Sequence, residues 1–458
     1  MNWKILTSLT ERLRYMLWYN IERPHHSLNK KSLMEYFCDI TNSSKSELFQ
    51  TGMTYTHHRK MNKFKVNLYR FLKRRRNMLP EAGILSINNN ACKKNCDHAI
   101  NATPLSKIPK FRLIGNKHSV LNYISEVIIK EKIDGKIFFD VFSGSCSVGR
   151  YFKQNYSIIS NDILYFSYVL QRALIVLNSF PKFENVKIAN LSANPGKRIN
   201  QVLEFLNKSE EKCGFIYNHY TPASKNVDGI ERKYFSEENG RKIDSIRTTI
   251  EALFNEKQIN EDEYFYLIAS LLLAVQKISN ISGTYGAFNK TWDPRSKKPL
   301  TLKPIDIIPS NFMHKAFNSD VFNILDKVSC DIAYIDPPYN ERQYIANYHI
   351  LETIARYDNP KISGKTGIRN YSQQEKSVFC SKKTVSDAML KLLNNLKAKY
   401  VILSYSSDGL ISKDEIISLF EKAGLYGIKL YEFQYRRFKS NKNTHKNLVK
   451  EYIFIGRK

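Results

Sequence analysis

Apolar residues fall along this chain in short runs that stop at polar ones, the pattern of buried strands that present chemistry at their ends. Ile332-Ala333-Tyr334-Ile335 predicts such a strand and ends in Asp336-Pro337-Pro338-Tyr339. A second run, Ile137 to Val141, enters the small-residue turn Phe142-Ser143-Gly144-Ser145-Cys146-Ser147-Val148-Gly149 and then a helix-like stretch through Tyr151 and Phe152. Ile158-Ile159-Ser160-Asn161-Asp162 is a third short strand with an acid at its end, and Tyr400 to Ser407 a further one. Between them the period changes. Ile243, Ile246, Ile250 and Leu253 recur at three- and four-residue steps, which predicts a helix with Arg241, Lys242 and Arg247 on its more polar side. The longest apolar run, Tyr264 to Val275, is too short to span a bilayer and reads as a buried helix.

Asp336 and Tyr339 place a carboxylate and an aromatic ring at the carboxyl end of a strand, where open α/β sheets bind ligands. The two prolines remove two N–H donors and leave nearby carbonyls free to accept. A nucleobase amine matches that offer: the Asp336 carboxylate and the Pro337 carbonyl take its two hydrogens while Tyr339 stacks on the ring. The plainer alternative is a strand ending in a proline turn with Asp336 as a cap. The turn after Val141 allows close backbone approach to a ligand but lacks G-x-G-x-x-G spacing, which disfavours a dinucleotide. Asp162 stands where doubly wound folds place a ribose-binding acid.

Composition adds a partner class. The 458 residues have a net charge of +28 and a pI near 9.6, which suits a polyanion, although Lys- and Asn-rich chains are often basic for no functional reason. Seven cysteines without regular spacing argue for a reducing cytoplasm, and no signal peptide opens the chain. Cys92, Cys96 and His98 lie close together but lack a second cysteine pair, so no metal site is expected.

Together these residues resemble the adenine-specific DNA methyltransferases of the Dam-like alpha group. Leu113-Ile114-Gly115-Asn116-Lys117 is similar to the element before the glycine turn, Asp140 to Gly149 to the cofactor loop, and Asn161-Asp162 to the ribose pair. Asn340 to Tyr344, Asn347-Tyr348-His349 and Leu351-Glu352 extend the match. The departures are Leu113, where many relatives carry an aromatic, and Ser145-Cys146 in place of a more glycine-rich turn.

The resemblance implies an α/β, Rossmann-like, S-adenosylmethionine-dependent methyltransferase: a catalytic domain over 109–189 and 310–458, with an inserted, mainly helical target-recognition region over 190–309. It implies catalytic roles for Asp336, Pro337, Pro338 and Tyr339, and cofactor contacts from Lys117, Asp140, Phe142, Gly144, Asp162, Asp320 and Asp336. Candidate contacts to double-stranded DNA are Arg232, Arg247, Tyr285 and Lys290 in the insertion, with Arg342 and Tyr344 after the catalytic motif. The expected enzyme is cytoplasmic and nucleoid-associated, the modification arm of a restriction system, with a cognate restriction endonuclease as a further partner.

Alternatives differ at single residues. Cytosine-N4 enzymes more often carry Ser-Pro-Pro-Tyr, and RNA or protein amine methylation more often goes with Asn-Pro-Pro-Tyr. Carbon methylation of cytosine needs a nucleophilic thiol, normally after proline, and no Pro-Cys dipeptide occurs here.

The first residues differ in character. Tyr19 to Asn29 with Ser32 to Tyr36 resembles the carboxyl end of an insertion-sequence transposase core, and only eighteen residues precede Tyr19, too few for the catalytic acids. Residues 1–40 are thus expected to be a truncated remnant, and 41–108 a basic polar linker. In that linker Lys73-Arg74-Arg75-Arg76 reads as a solvated charge run in preference to a phosphate site. A transposase-derived DNA-binding protein without enzymatic activity is the reading of a different class, and it leaves the later motifs unexplained.

Overall fold

A computed structural model describes residues 100, 103–436 and 448–458. The transposase-like segment, the basic run from Lys73 to Arg76 and the Cys92, Cys96, His98 group lie outside the described residues. Nine strands are present among the described residues: β1 Ile137–Asp140, β2 Ser157–Asp162, β3 Lys315–Asn318, β4 Ser329–Ile335, β5 Ile362–Ser363, β6 Ile368–Arg369, β7 Lys397–Ser406, β8 Tyr426–Arg436 and β9 Leu448–Arg457. Seven of them form one sheet in the order β3-β2-β1-β4-β7-β9-β8, while β5 and β6 pair with each other. From β3 to β7 neighbours are parallel, and β9 is antiparallel to both β7 and β8.

The chain runs outward from β1 in one direction and from β4 in the other, so β1 and β4 flank the switch point where such sheets bind ligands. Asp140 is in register with Tyr334, two positions before Asp336. The two acids therefore emerge side by side at the carboxyl ends of adjacent strands.

Strand residues alternate between two apolar cores, which is why their runs read as continuous rather than amphipathic. Phe138, Ile332, Tyr334, Ile402 and Ile453 face one core. Phe139, Ala333, Ile335, Val401 and Phe454 face the other. The first face is covered by α1 (Leu121–Lys130), α2 (Ser147–Phe152), α3 (Tyr165–Gln171), α4 (Pro195–Asn207), α5 (Phe215–Tyr220), α6 (Glu237–Asn255), α7 (Glu261–Ile278) and α8 (His349–Arg356). The second is covered by α9 (Val385–Asn395) and α10 (Lys413–Lys422).

Helix α7 is the predicted buried helix, apolar nearly all round. It starts at a capping box in which Asn260 Oδ1 accepts from Glu263 N (3.0 Å) and Glu263 Oε2 from Asn260 N (2.9 Å). Residues 190–309 carry helices α4 to α7 and, after Ile278, mostly loop. Their helices nevertheless share one core with the sheet: Ile243, Ile246, Tyr266 and Leu271 pack in the same cluster as Phe138 and Tyr334.

The expected linker over 41–108 also ends too late. Thr103 N donates to Tyr151 O (3.2 Å), Arg150 Nε donates to Lys107 O (3.0 Å), and Ile108 is buried, so residues 103–108 belong to the catalytic body. Among the described residues no helix is long and apolar enough to cross a membrane.

Candidate active site

Three acids end three parallel strands at this switch point, Asp140 on β1, Asp162 on β2 and Asp336 just past β4. Asp140 braces the glycine turn: its Oδ2 accepts from Ser143 Oγ (3.0 Å) and from Gly149 N (3.2 Å). Burial pushes its carboxyl up to about 7. Gly149 packs closely there: a Cβ would lie 2.7 Å from Ile175 Cδ1 and 3.2 Å from Asp140 Oδ2, so a side chain would have to push Ile175 aside. Gly144 has φ of 49°, and its N–H donates to Asp162 Oδ2 (2.8 Å); Leu164 N–H donates to Oδ1 (2.9 Å). Cys146, in the turn expected to be richer in glycine, also adopts the left-handed conformation, with φ of 63°. Just past Asp162, the first N–H groups of α3 are capped from another helix: Glu352 on α8 accepts from Tyr165 N (3.0 Å) and Phe166 N (2.9 Å).

Asp336 Oδ1 lies 2.8 Å from Lys117 Nζ, and the same ammonium lies 3.0 Å from Glu451 Oε1 on β9. Lys117 also donates to Gly115 O (3.2 Å). Burial pushes Asp336 up to about 7; Lys117 pulls the other way and Glu451 adds to the rise. Burial lowers the Lys117 ammonium, but Asp336 and Glu451 more than offset it, so the group stays above the ordinary lysine value and charged. Gly115, with φ of 78°, lies against the Tyr339 ring: a Cβ there would stand 3.1 Å from Cε1. The segment carrying Gly115 is held by Tyr348, whose hydroxyl accepts from Ile114 N at 2.6 Å.

One cleft takes in Lys117, Asp140, Phe142, Gly144, Asp162, Asp320, Asp336, Pro337, Pro338, Tyr339 and Tyr344 together. These include all the residues assigned from sequence to catalysis and cofactor, drawn from five separate stretches. Lys117 is placed against two carboxylates, as the partner of Asp336. Sequence reasoning missed Glu451, which sits in a lysine-rich stretch with no motif around it. It also missed the wall around Ser377, where Gln343 Nε2 donates to Ser377 O (3.0 Å) and Ser377 N to Gln343 Oε1 (2.8 Å).

The expected DNA contacts divide. Arg232, Arg247 and Tyr285 are each no more than 1% exposed, so they are corrected to structural residues. Arg232 donates to Lys365 O (3.2 Å), Gly364 O (3.3 Å) and Asp228 (2.7 Å). Arg247 donates to Ile354 O (3.1 Å), Ala355 O (3.2 Å) and the Tyr264 hydroxyl (2.9 Å). A guanidinium has five donors, and here several of them go to backbone carbonyls of other segments, so each arginine braces its own segment against residues 354–365. The Tyr285 hydroxyl pairs with Ser279. Lys290 and Arg342 are exposed, and Tyr344 lines the cleft.

The cleft suits S-adenosylmethionine by its donor set. The Asp162 carboxylate lines the cleft at the end of β2, small residues at 143–145 allow close approach, and carboxylates outnumber cations there.

The family described as D12 class N6 adenine-specific DNA methyltransferase matches residues 113–419, and such enzymes take their methyl group from S-adenosylmethionine. The chain is 43% identical over 352 residues to the type II methyltransferase FokI of Planomicrobium okeanokoites, covering 76% of this chain and 52% of that one. It is 40% identical over 342 residues to modification methylase LlaI of Lactococcus lactis subsp. lactis, covering 73% and 52%. With the type II methyltransferase NlaIII of Neisseria lactamica identity is 37% over 350 residues, covering 75% and 98%. The chain thus spans about half the length of the first two relatives and nearly all of the third. With its strand-end acids in place and residues 113–419 matched, the chain belongs to the D12 class of N6 adenine-specific DNA methyltransferases.

Proposed function

We propose that the chain methylates the N6 amine of adenine in duplex DNA and serves as the modification enzyme of a type II restriction system with a cognate endonuclease. The observation that carries the reading is Asp336, held by Lys117 at the carboxyl end of β4, with Tyr339 beside it in the cleft.

The exocyclic amine is a poor nucleophile because its lone pair is delocalised into the ring, and in a duplex it is also stacked and paired. Flipping the base out removes the second obstacle at a cost of a few kcal/mol. The Asp336 carboxylate and the Pro337 carbonyl then accept the two amine hydrogens and turn the lone pair outward, while Tyr339 stacks on the base. S-adenosylmethionine supplies an electrophilic methyl on a sulfonium. Asp162 orients the ribose, and the turn around Gly144 admits the cofactor to the cleft. Lys117 keeps Asp336 ionised and aimed; Glu451 in turn fixes the ammonium. Holding the groups in near-attack geometry provides much of the acceleration.

The test is transfer of labelled methyl to duplex DNA followed by digestion to nucleosides. N6-methyl-2′-deoxyadenosine is expected. Label in N4-methyl-2′-deoxycytidine, or in RNA or protein alone, would overturn the reading.

A further inference from the structure

The buried arginines of the insertion leave open where a polyanion would lie. Five cations surround a single cavity of about 530 Å³: Lys107, Lys110, Arg112, Lys277 and Lys303. The four lysines are exposed and Arg112 is half-buried. Elsewhere many cations are paired, as in Arg172 with Glu261, Arg241 with Glu211 and Lys429 with Glu131. None of the five forms an ion pair among the described residues. The one acid lining the cavity among those residues is Asp306, and it is outnumbered further by Arg150 beneath it, which donates to Asp306 O and Leu174 O.

This cavity backs onto the active-site cleft. Arg112 lines the first and its neighbour Leu113 the second. Helix α2 does the same, with Arg150 on one side and Ser147 and Val148 on the other. Arg112 N donates to Gln276 Oε1 (2.9 Å), which ties the carboxyl end of α7, and with it Lys277, to the wall between the two. The cations are therefore set on a braced frame across a shared wall from the active-site cleft.

We propose that this cavity grips the sugar-phosphate backbone of the DNA next to the target base. The proposal rests on the DNA-methylating reading above. Exposed ammonium groups on flexible stems act as point charges and suit phosphates rather than base edges. Such contacts set affinity and placement without reading sequence.

The test uses the full chain, a variant carrying Lys107→Gln, Lys110→Gln, Lys277→Gln and Lys303→Gln, and a charge-matched control carrying Lys187→Gln, Lys197→Gln, Lys391→Gln and Lys422→Gln. A third variant replaces the same four cavity lysines by arginine. Binding to two duplexes of unrelated sequence is followed by fluorescence anisotropy over a range of salt, alongside kcat for methyl transfer. The cavity variant should bind both duplexes roughly tenfold or more weakly at low salt, with a salt slope lower by ~0.9 for each phosphate it no longer neutralises. Its kcat at saturating DNA should be unchanged, the arginine variant should bind like the parent, and the control should change little. Equal weakening in cavity and control variants would overturn the proposal, as would a weakening confined to one sequence. If the parent chain methylates DNA while the cavity variant binds normally, the grip falls and the proposed function stands; if the parent neither binds nor methylates DNA, both fall.

Discussion

Glu451, on the last strand of the sheet, lies 3.0 Å from the ammonium of Lys117 and so joins that strand to the Asp336 carboxylate. No other acid is paired with Lys117 among the described residues. The Asp336 carboxylate is thus held at one remove by a residue outside the matched stretch 113–419.

Replacement of Asp336 by Asn keeps the shape and removes the charge. Methyl transfer should fall by at least ~10²-fold, the usual cost of losing one preorganised electrostatic group. The thermal midpoint should hold or rise, because a buried carboxylate is removed. Activity near that of the parent would remove Asp336 from the chemistry.

The acid limb of activity belongs to the same carboxylate. Burial places Asp336 at about 7, and it acts in its ionised form, so kcat/KM should fall as pH drops through that value. Glu451→Gln removes a charge that raises Asp336, and the limb should move to lower pH. Lys117→Met removes one that lowers it, and the limb should move up. Variants that scale the profile without moving it would assign both residues to folding alone.

Asp162 both shapes the turn and faces the cleft. Asp162→Ala should weaken S-adenosylmethionine binding by about 1.5–3 kcal/mol, the worth of the charge-assisted hydrogen bonds it removes. Calorimetry that finds the same affinity would place the ribose elsewhere.

Arg247 is a test of the corrected assignment. Arg247→Met leaves Ile354 O and Ala355 O without their donor, and should cost about 2–4 kcal/mol of stability in denaturant titration. The salt slope of DNA binding should be that of the parent. A reduced slope with unchanged stability would return Arg247 to the DNA surface.

A shortened chain beginning at Lys94 should fold and methylate the same sequence as the full chain. One beginning at Arg112 should be insoluble, because it lacks buried Ile108 and Phe111 and the acceptor of Arg150 at Lys107 O. Soluble, active protein from the shorter chain would undo this boundary.

The strands and their terminal acids are legible in the sequence because their signals are local. An apolar run followed by Asp-Pro-Pro-Tyr, or by a small-residue turn, carries both its burial and its chemistry within about ten residues. Periodicity misplaces Arg247 because it assigns charge to surface, whereas a guanidinium surrounded by carbonyls is as buried as any leucine. Glu451 is invisible because pairing of β9 with β7 sets it opposite Ser406 at the carboxyl end of the sheet, a relationship with no trace in either stretch of sequence. The shared core of insertion and sheet escapes for the same reason: Tyr266 and Leu271 show that they are buried, but not against what.

Around the active-site cleft, among the described residues, Asp140, Asp162, Asp320, Asp336 and Glu375 face a single ammonium, Lys117. A sulfonium enters that field favourably, while a pyrophosphate would enter against it. After the methyl leaves, sulfur is a neutral thioether and the attraction is gone, though the ribose and adenine contacts remain. On charge alone, therefore, these walls favour the sulfonium form of the cofactor over its thioether product.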